Sequence, residues 1–305
     1  MYQSYCGIDF GTTNSAVSAV TQGKTPELIR FGKGKETIPT AIFFPEENTY
    51  CPTFGDEAVA QYINGAVGRF MRSLKRILGT DLMDMKTEVN DVRLSYEEII
   101  LRFLKYLKET AEKQIGKTLD SVVLGRPVHF QDFAPDSDAK AEAVLRKIAV
   151  NAGFKEISFQ YEPLAAAFAH ETRLRHEQLA CVIDIGGGTS DFSVIRLSPQ
   201  KQNSQNRKKD ILANAGIRIG GNDFDRDLSI RGLMPGLGYG TMLKPNPYNG
   251  RILPVPFSPY VTLSEWSNIN SLYAYKEKEA VRKLYEESAE PDKVGVLYEI
   301  IKKEL

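Results

Sequence analysis

The sequence is poor in the residues that cross-link small proteins or bind transition metals. It has 3 cysteines, 3 histidines and 1 tryptophan among 305 residues. Cys6, Cys51 and Cys181 form no Cys-x-x-Cys pair, and the histidines lack the i, i+4 spacing of a zinc-binding helix. Cys6 and Cys181 lie in apolar runs and are predicted to be buried. This cysteine usage favours a reducing, cytoplasmic compartment.

Net charge and long apolar runs are also missing. The 39 basic residues balance the 39 acidic ones, which gives no electrostatic reason to expect a nucleic acid or an anionic membrane as a partner. No apolar run approaches the ~20 residues of a membrane helix, and the first residues carry no signal-peptide pattern. With 42% hydrophobic and 26% charged residues, we expect a soluble globular protein with room for two domains.

The most informative segment is Cys181–Ile195, with the sequence Cys-Val-Ile-Asp-Ile-Gly-Gly-Gly-Thr-Ser-Asp-Phe-Ser-Val-Ile. Two apolar, β-branched runs flank a Gly-Gly-Gly-Thr turn, which predicts a β-hairpin. Glycines let backbone N–H groups approach an anion closely and permit positive φ. Asp184 precedes the turn and Asp191 follows it. A carboxylate beside an anion site needs a cation between the two charges, so the segment predicts Mg²⁺ and a nucleotide.

A second copy of this pattern occupies Gly7–Val20, with the sequence Gly-Ile-Asp-Phe-Gly-Thr-Thr-Asn-Ser-Ala-Val-Ser-Ala-Val. Aligning Asp9 with Asp184 places Gly11 on Gly186, followed in both copies by a hydroxyl residue and an apolar strand. The repeat predicts two related lobes that each present a hairpin to one ligand. The alternative is two ordinary hairpins with glycine-rich turns.

Strands and helices alternate through much of the remaining chain, which favours an α/β fold with a largely parallel core sheet. Ser95 begins a capping box in front of an apolar helical face. Residues Asp56–Leu78 are predicted to be helical, with glycine interruptions. The polar stretch Ser198–Asp210 is predicted to be a solvated loop. Gly232–Tyr260, rich in proline and glycine, is predicted to be irregular.

As a set, these motifs are similar to segments of one known family. The matching segments are two phosphate loops (7–15 and 183–191), two connecting segments (Val122–Asp132 and Tyr161–Ala167), a lysine segment (Lys75–Gly79) and a later glycine segment (Ile219–Asp225). The chain resembles the nucleotide-binding domain of the seventy-kilodalton heat-shock (DnaK-like) chaperones, within the actin-like ATPase superfamily. The resemblance extends from Tyr5 to about Leu228.

The resemblance implies an α/β, actin-like ATPase (ribonuclease H-like) fold with two lobes. The first lobe would span residues 1–175, with an insert subdomain at about 35–115. The second lobe would span residues 176–305, with an irregular subdomain at about 220–305. The implied cofactors are ATP or ADP with Mg²⁺, and the implied activity is slow ATP hydrolysis.

The resemblance also implies roles for individual residues. Two aspartates, Asp9 and Asp184, would hold Mg²⁺ through its waters. Phosphoryl transfer needs charge neutralisation and an aligned nucleophile, and the implied catalytic residues are Lys75, Glu162, Asp191 and Thr189. The nucleotide would be bound by Gly11, Thr12, Thr13, Asn14, Gly186, Gly187, Gly188, Thr189, Gly220 and Gly221.

The sequence also departs from the family pattern. The helix and the glycine-rich strand of the family's adenosine pocket are not found before Leu305. We therefore expect a C-terminally truncated, incomplete second lobe, weak adenine binding and slow or absent turnover. Arg126 precedes Pro127, where the chaperones carry a small apolar residue. This difference and the proline-rich stretch point to the shorter, YegD-type branch of the family.

Three functions remain open at this point. The first is an ATP-binding, slowly hydrolysing, chaperone-like switch whose closure around Mg-ATP is sensed by an unidentified protein partner. The second is a non-catalytic scaffold that keeps the actin-like fold. The third is a sugar kinase of the same superfamily, which would need a further catalytic aspartate that the sequence does not offer.

Overall fold

The protein is described by a computed structural model over residues 4–20, 25–130, 135–202, 204, 207, 209–265 and 269–303. The chain folds as two compact units, Met1–Gly220 and Gly221–Leu305. This boundary lies later in the sequence than the lobe boundary expected at residue 175. The division into two lobes, with its subdomains, stays a prediction.

The strands of the described residues all lie in the first unit. They are β1 (Tyr5–Phe10), β2 (Asn14–Val20), β3 (Glu27–Leu28), β4 (Ile38–Pro39), β5 (Ala41–Pro45), β6 (Thr53–Phe54), β7 (Gly68–Arg72), β8 (Lys86–Val89), β9 (Val92–Ser95), β10 (Ser121–Arg126), β11 (Glu156–Tyr161), β12 (Gln178–Ile185), β13 (Ser190–Leu197) and β14 (Ile211–Ile217). Both predicted glycine hairpins are therefore confirmed as β1–β2 and β12–β13.

The helices are shared between the units. They are α1 (Gly55–Ile63), α2 (Tyr96–Ile115), α3 (Pro135–Asn151) and α4 (Glu162–Glu171) in the first unit, and α5 (Gly221–Gly232), α6 (Ser258–Ser264), α7 (Tyr275–Glu287) and α8 (Pro291–Lys303) in the second. Short 3₁₀ turns lie at Glu46–Asn48, Leu74–Ile77, Asp81–Asp84, Pro199–Lys201, Met234–Leu237 and Ile269–Tyr273.

The largest sheet is mixed rather than largely parallel. Its strand order is β11–β10–β1–β2–β3, and β4 also pairs with β2. β10 runs parallel to β1 and to β11, whereas β2 runs antiparallel to β1, β3 and β4. Strands joined by a short turn must run antiparallel, and parallel pairing needs a long connection such as α3. The expectation of a largely parallel sheet is wrong for this reason.

Helix α2 packs its apolar face on this sheet and fixes the end of β1. It begins with the predicted capping box: Ser95 Oγ accepts a hydrogen bond from the Glu98 N–H, and the Glu98 carboxylate accepts one from the Ser95 N–H. The ring centroid of Phe10 lies 6.0 Å from that of Phe103 in α2. Because Phe10 is the last residue of β1, this packing positions the loop that follows.

Strands β12, β13 and β14 form a separate antiparallel sheet with α4 on one face. Alternate residues of β12 point to the other face, where Ile183 and Ile185 are 60% and 62% exposed. Cys181 shares this face and is exposed, so its predicted burial is wrong, whereas Cys6 is buried as predicted. Strand alternation decides which way a side chain points, but the covering element decides whether it is buried.

Helix α4 contacts two sheets of the first unit. It packs on β10 and β11 of the mixed sheet and on β12 and β13 of the antiparallel sheet. The helix begins at Glu162, and Pro163 lies in its first turn, where a backbone N–H would have no helical partner. Glu162 is therefore held where the two sheets meet.

The prediction of a helix over Asp56–Leu78 is wrong beyond its first part. Helix α1 ends at Ile63, and β7 and the 3₁₀ turn Leu74–Ile77 follow. Gly68 of β7 pairs with Pro45 of β5, and a Cβ atom on Gly68 would lie 2.2 Å from a carbonyl oxygen of β5. This pairing between distant segments overrides the local helical pattern.

The polar stretch Ser198–Asp210 is anchored rather than simply solvated. The Arg207 guanidinium lies 2.7 Å from Glu171 and 2.8 Å from Asp210, whose side chains are 2% and 5% exposed. It also lies 4.9 Å from the ring of Phe168 in α4. The stretch includes four residues outside the described part of the chain: 203, 205, 206 and 208.

The second unit is built from helices and irregular chain. Its core includes Tyr260, Leu284 and Leu297. The predicted irregular stretch Gly232–Tyr260 is confirmed apart from the 3₁₀ turn Met234–Leu237, the last residue of α5 and the first residues of α6. Across the described residues of both units, no helix combines the length and apolar character needed to span a membrane.

Candidate functional site

The loop between β1 and β2 lies against the loop between β12 and β13. A Cβ atom on Gly187 would fall 2.0 Å from Oγ1 of Thr13, and one on Gly188 would fall 2.7 Å from Oγ1 of Thr12. Neither glycine has a positive φ. Glycine is needed here for close approach and not, as the sequence also suggested, for left-handed backbone. The two copies of the repeat thus meet in space through their turns.

The first loop is compact in itself. A Cβ atom on Gly11 would lie 2.1 Å from the carbonyl oxygen of Asn14. The N–H of Thr40 donates to the carbonyl oxygen of Thr13 at 2.8 Å and supports the loop from β4 and β5. The predicted loop residues therefore form one tight turn whose backbone is fixed by neighbouring strands.

The second loop is closed by contacts at both ends. The N–H of Gly186 donates to the carbonyl oxygen of Thr189 at 2.9 Å. A Cβ atom on Gly220 would lie 2.6 Å from the carbonyl oxygen of Gly186, so Gly220 packs directly on this loop. Gly221, also a predicted nucleotide-binding residue, begins α5 in the second unit, and its role stays a prediction.

Two predicted metal-binding aspartates precede the two loops and share one electrostatic neighbourhood. The pKa of Asp9 is raised to about 6, first because its carboxylate is partly desolvated and then because Glu162 and Asp184 are negatively charged. Partial desolvation and Glu162 also raise the pKa of Asp184. Lys75 opposes both shifts. Carboxylates gathered in this way favour a bound cation.

Lys75 and Glu162 form an ion pair beside these aspartates. The Lys75 Nζ lies 2.5 Å from Oε1 of Glu162, and the side chains are 7% and 16% exposed. Lys75 lies in the 3₁₀ turn that follows Ser73, a residue with a left-handed φ of 60°. A Cβ atom on Gly125 would lie 3.2 Å from Cγ of Glu162. The backbone at Ser73 therefore limits the position of Lys75, and the backbone at Gly125 limits that of Glu162.

Asp191 is buried below the second loop, with 1% of its surface exposed. Its Oδ1 accepts a hydrogen bond of 2.7 Å from the N–H of Val128. Burial raises the pKa of Asp191, while the Val128 N–H and the Thr189 hydroxyl oppose this shift by hydrogen bonding to the carboxylate. A Cβ atom on Gly216 would lie 2.6 Å from Oδ1, so glycine is required there.

Several residues that support the site were missed in the sequence. The backbone N–H of Val128 donates to Asp191. Gly125 packs against Glu162 and Gly216 against Asp191, each at a distance that leaves little room for a Cβ atom. Arg76 follows Lys75, and its Cγ would lie 3.1 Å from a Cβ atom on Gly188. Arg218 donates a hydrogen bond to the Arg76 carbonyl oxygen. No local motif marks these contacts, because they join distant segments of the chain.

The arrangement fits a phosphate group with a hydrated Mg²⁺. The glycine turns leave backbone close to a small ligand, and Lys75 offers a cation near the carboxylates. Mg²⁺ keeps several waters in proteins and needs only one or two carboxylates, which Asp9 and Asp184 would supply. Among the described residues, no group of three His, Cys, Asp or Glu side chains is placed to hold a metal ion.

Both a family model and curated proteins match this chain. The family model described as Hsp70 protein matches residues 5–230, which confirms the predicted extent of Tyr5 to about Leu228. The chain is 31% identical to the chaperone protein DnaK of Mycoplasma mobile over 224 residues, which are 73% of this chain and 33% of that relative. The chain thus spans about a third of the length of the curated relative it matches.

Proposed function

This chain belongs to the Hsp70 family and corresponds to its nucleotide-binding domain, and from this premise we propose that the first unit binds ATP or ADP with Mg²⁺ and hydrolyses ATP slowly. The protein would act as a chaperone-like switch whose conformation depends on the bound nucleotide. Cytoplasmic location and an unidentified protein partner belong to the same proposal.

The contact between the two glycine turns carries this proposal. Because a Cβ atom on Gly187 or Gly188 would meet Thr13 or Thr12, the two turns lie close enough that one small ligand would contact the backbone of both. Backbone amides arranged in this way suit phosphate oxygens. A ligand held by both turns would couple the mixed sheet to the antiparallel sheet, because each turn ends a hairpin of one sheet.

The side chains around the turns fit phosphoryl transfer to water. A bound Mg²⁺ would neutralise charge on the phosphates as bonds to the γ-phosphorus change. Asp9 and Asp184 would hold its water shell, and Lys75 would contact the γ-phosphate. Glu162, paired with Lys75 at 2.5 Å, would orient the attacking water.

Two residues at the second turn would complete the γ-phosphate site. Thr189 lies within the turn itself, and its hydroxyl, which lowers the pKa of Asp191, would bind the γ-phosphate. Asp191 would order the metal's water shell from below the turn. Slow hydrolysis is the expectation, because these groups orient water and neutralise charge without a dedicated strong base.

Binding is tested by calorimetry with ATP and Mg²⁺ on the 305-residue chain. Asp184→Ala is expected to abolish Mg-dependent binding, because it removes one of the two metal-binding carboxylates. Asp120→Ala is the matched control: its carboxylate pairs with Lys155 at the surface, at 3.1 Å, and binding should be unchanged. Equal affinities in all three proteins would overturn the metal role.

Hydrolysis is tested by single-turnover release of phosphate. A wild-type chain that binds Mg-ATP without hydrolysing it would be the non-catalytic scaffold instead. Phosphate transfer to an added sugar, with no release to water, would identify a small-molecule kinase. Slow release that Glu162→Gln reduces by about 10²–10³ would support the ATPase.

A further inference from the structure

Arg126, the last residue of β10, is buried with its charge fully paired. Its Nη2 lies 2.5 Å from Oδ2 of Asp138, and its Nη1 lies 2.5 Å from Oε2 of Glu142. Its Cζ lies 5.0 Å from the ring centroid of Phe130 and 5.3 Å from that of Tyr161. Only 8% of the residue is exposed. The guanidinium is thus fixed by two carboxylates of α3 and by two aromatic rings.

The same guanidinium holds the backbone that follows β10. Its Nε donates to the carbonyl oxygen of Pro127 at 3.1 Å, and its Nη2 donates to that of Val128 at 3.3 Å. Asp138 closes the ring of contacts by accepting from the N–H of Phe130 at 2.5 Å. The segment 127–130 therefore turns around a single arginine side chain.

One peptide group connects this arginine to the candidate site. The carbonyl group of Pro127 and the N–H of Val128 belong to the same planar, trans peptide, in which they point in opposite directions. The carbonyl oxygen accepts from Arg126 Nε at 3.1 Å, and the N–H donates to Asp191 Oδ1 at 2.7 Å. The rotation of this peptide, set by Arg126, decides whether Asp191 receives its hydrogen bond.

We propose that Arg126 is a positioning residue that orients the Pro127–Val128 peptide and thereby holds the Asp191 carboxylate in place. Arg126 also contacts the ring of Tyr161, which directly precedes Glu162 in the chain. This contact would help to hold Glu162 in position. The role assigned to Arg126 rests on the proposed function of Asp191 and Glu162 in nucleotide hydrolysis.

The consequence for Asp191 is a defined change in its hydrogen bonding. Its Oδ1 accepts from the Val128 N–H at 2.7 Å. If the peptide rotates away, this hydrogen bond to a buried acceptor is lost. A purely structural role for Arg126 would lower stability and leave this hydrogen bond intact.

The test uses the amide signal of Val128 in the ¹⁵N-valine-labelled chain, assigned by its loss in Val128→Ile. In the wild type the hydrogen bond to Asp191 should protect this amide from hydrogen exchange, and Asp191→Ala should remove the protection. Arg126→Lys, which loses the two-pronged geometry of the guanidinium, should shift the signal and speed the exchange about tenfold. The triple variant R126M/D138N/E142Q, which removes the buried arginine together with both of its carboxylate charges, should do the same.

Arg207→Lys is the matched control. Arg207 also pairs with two carboxylates, Glu171 and Asp210, and lies on an aromatic ring, 4.9 Å from that of Phe168. It should lose stability without moving the Val128 signal or speeding exchange at this amide. An unchanged Val128 signal and exchange rate in both Arg126 variants, or equal changes in Arg207→Lys, would overturn the positioning role.

Kinetics separate this inference from the proposed function. Arg126→Lys should lower kcat for ATP about tenfold with KM changed less than about threefold, because a misplaced Asp191 affects the reaction more than binding. The amide measurement needs no nucleotide. A wild-type chain that fails to bind Mg-ATP would therefore refute the proposed function, while the Val128 amide would still decide whether Arg126 positions Asp191.

Discussion

The hydroxyl oxygen of Thr13 occupies the space that a side chain on Gly187 would need. A Cβ atom at Gly187 would lie 2.0 Å from Thr13 Oγ1 and 3.2 Å from Thr13 Cβ. We expect Gly187→Ala to force the two turns apart, to lower the free energy of unfolding by about 1–3 kcal/mol and to weaken nucleotide binding. Urea denaturation and calorimetry measure the two effects.

Gly232→Ala provides the control for this substitution. Gly232 ends α5, and a Cβ atom there would meet no other atom within 4 Å, so stability should be unchanged or slightly higher. Adding Thr13→Ala to Gly187→Ala should recover part of the lost stability, because it removes the nearest clashing atom. Equal losses in Gly187→Ala and Gly232→Ala would show that the contact between the turns is not tight.

The ion pair of Lys75 and Glu162 makes a second prediction. Lys75→Met leaves a carboxylate that is only 16% exposed without its cation, so the free energy of unfolding should fall by about 3 kcal/mol. The double variant K75M/E162Q should lose less, because the carboxylate paired with Lys75 is removed together with it. Hydrolysis should fall about 10²–10³-fold in both.

Lys108→Met is the control for the lysine. Lys108 forms an ion pair of the same length, 2.5 Å, with Glu112, and both side chains are largely buried at 13% and 21% exposed. It should lose stability and keep the rate of hydrolysis. A similar loss of rate in Lys108→Met would mean that the effect of Lys75→Met comes from unfolding.

The pKa of Asp9, about 6 in the folded chain against an ordinary value of 3.8, predicts a pH dependence of stability. Between these values the folded chain binds more protons than the unfolded chain, so the free energy of unfolding falls as the pH rises through this window. Asp9→Asn removes this effect. The variant should gain stability over the wild type above pH 6 and show no such gain below pH 3.8.

Urea denaturation without nucleotide, at pH values from 3 to 8, measures this difference. Asp120→Asn at the surface should show no comparable change with pH. Asp9→Asn should also abolish Mg-dependent ATP binding, so that stability and binding change in opposite directions. A stability difference between Asp9→Asn and wild type that does not vary with pH would contradict the shifted ionisation.

The cysteines differ in their predicted reactivity. Cys6 is buried, and burial raises the pKa of its thiol to about 12, whereas Cys51 and Cys181 are exposed. A thiol reagent should modify Cys51 and Cys181 readily in the native chain and Cys6 only after unfolding. Cys181→Ser should remove one of the fast signals. Protection of Cys181 would mean that the outer face of β12 is covered in solution.

The sequence predicts most reliably what depends on neighbouring residues. Both glycine hairpins and the capping box at Ser95 follow local patterns and are confirmed. The strand at Gly68 and the exposure of Cys181 were missed, because each depends on a distant partner: β5 for the first, and the side of the sheet that α4 covers for the second.

The sequence likewise predicted only those parts of the candidate site that follow a local pattern. The turns and the carboxylates could be found because they recur in two copies of one pattern. The hydrogen bond from Val128 to Asp191 joins residues 63 positions apart, and it comes from a backbone N–H that every residue except proline carries. The placing in a YegD-type branch and the incomplete second lobe stay predictions.

Helix α4 packs on strands of the mixed sheet and of the β12–β14 sheet, and its first residue is Glu162. Any change in the angle between the sheets must tilt or slide this helix. The Glu162 carboxylate would then move relative to Lys75. If Glu162 orients water as proposed, a partner that binds either sheet would change the rate of hydrolysis without contacting the nucleotide.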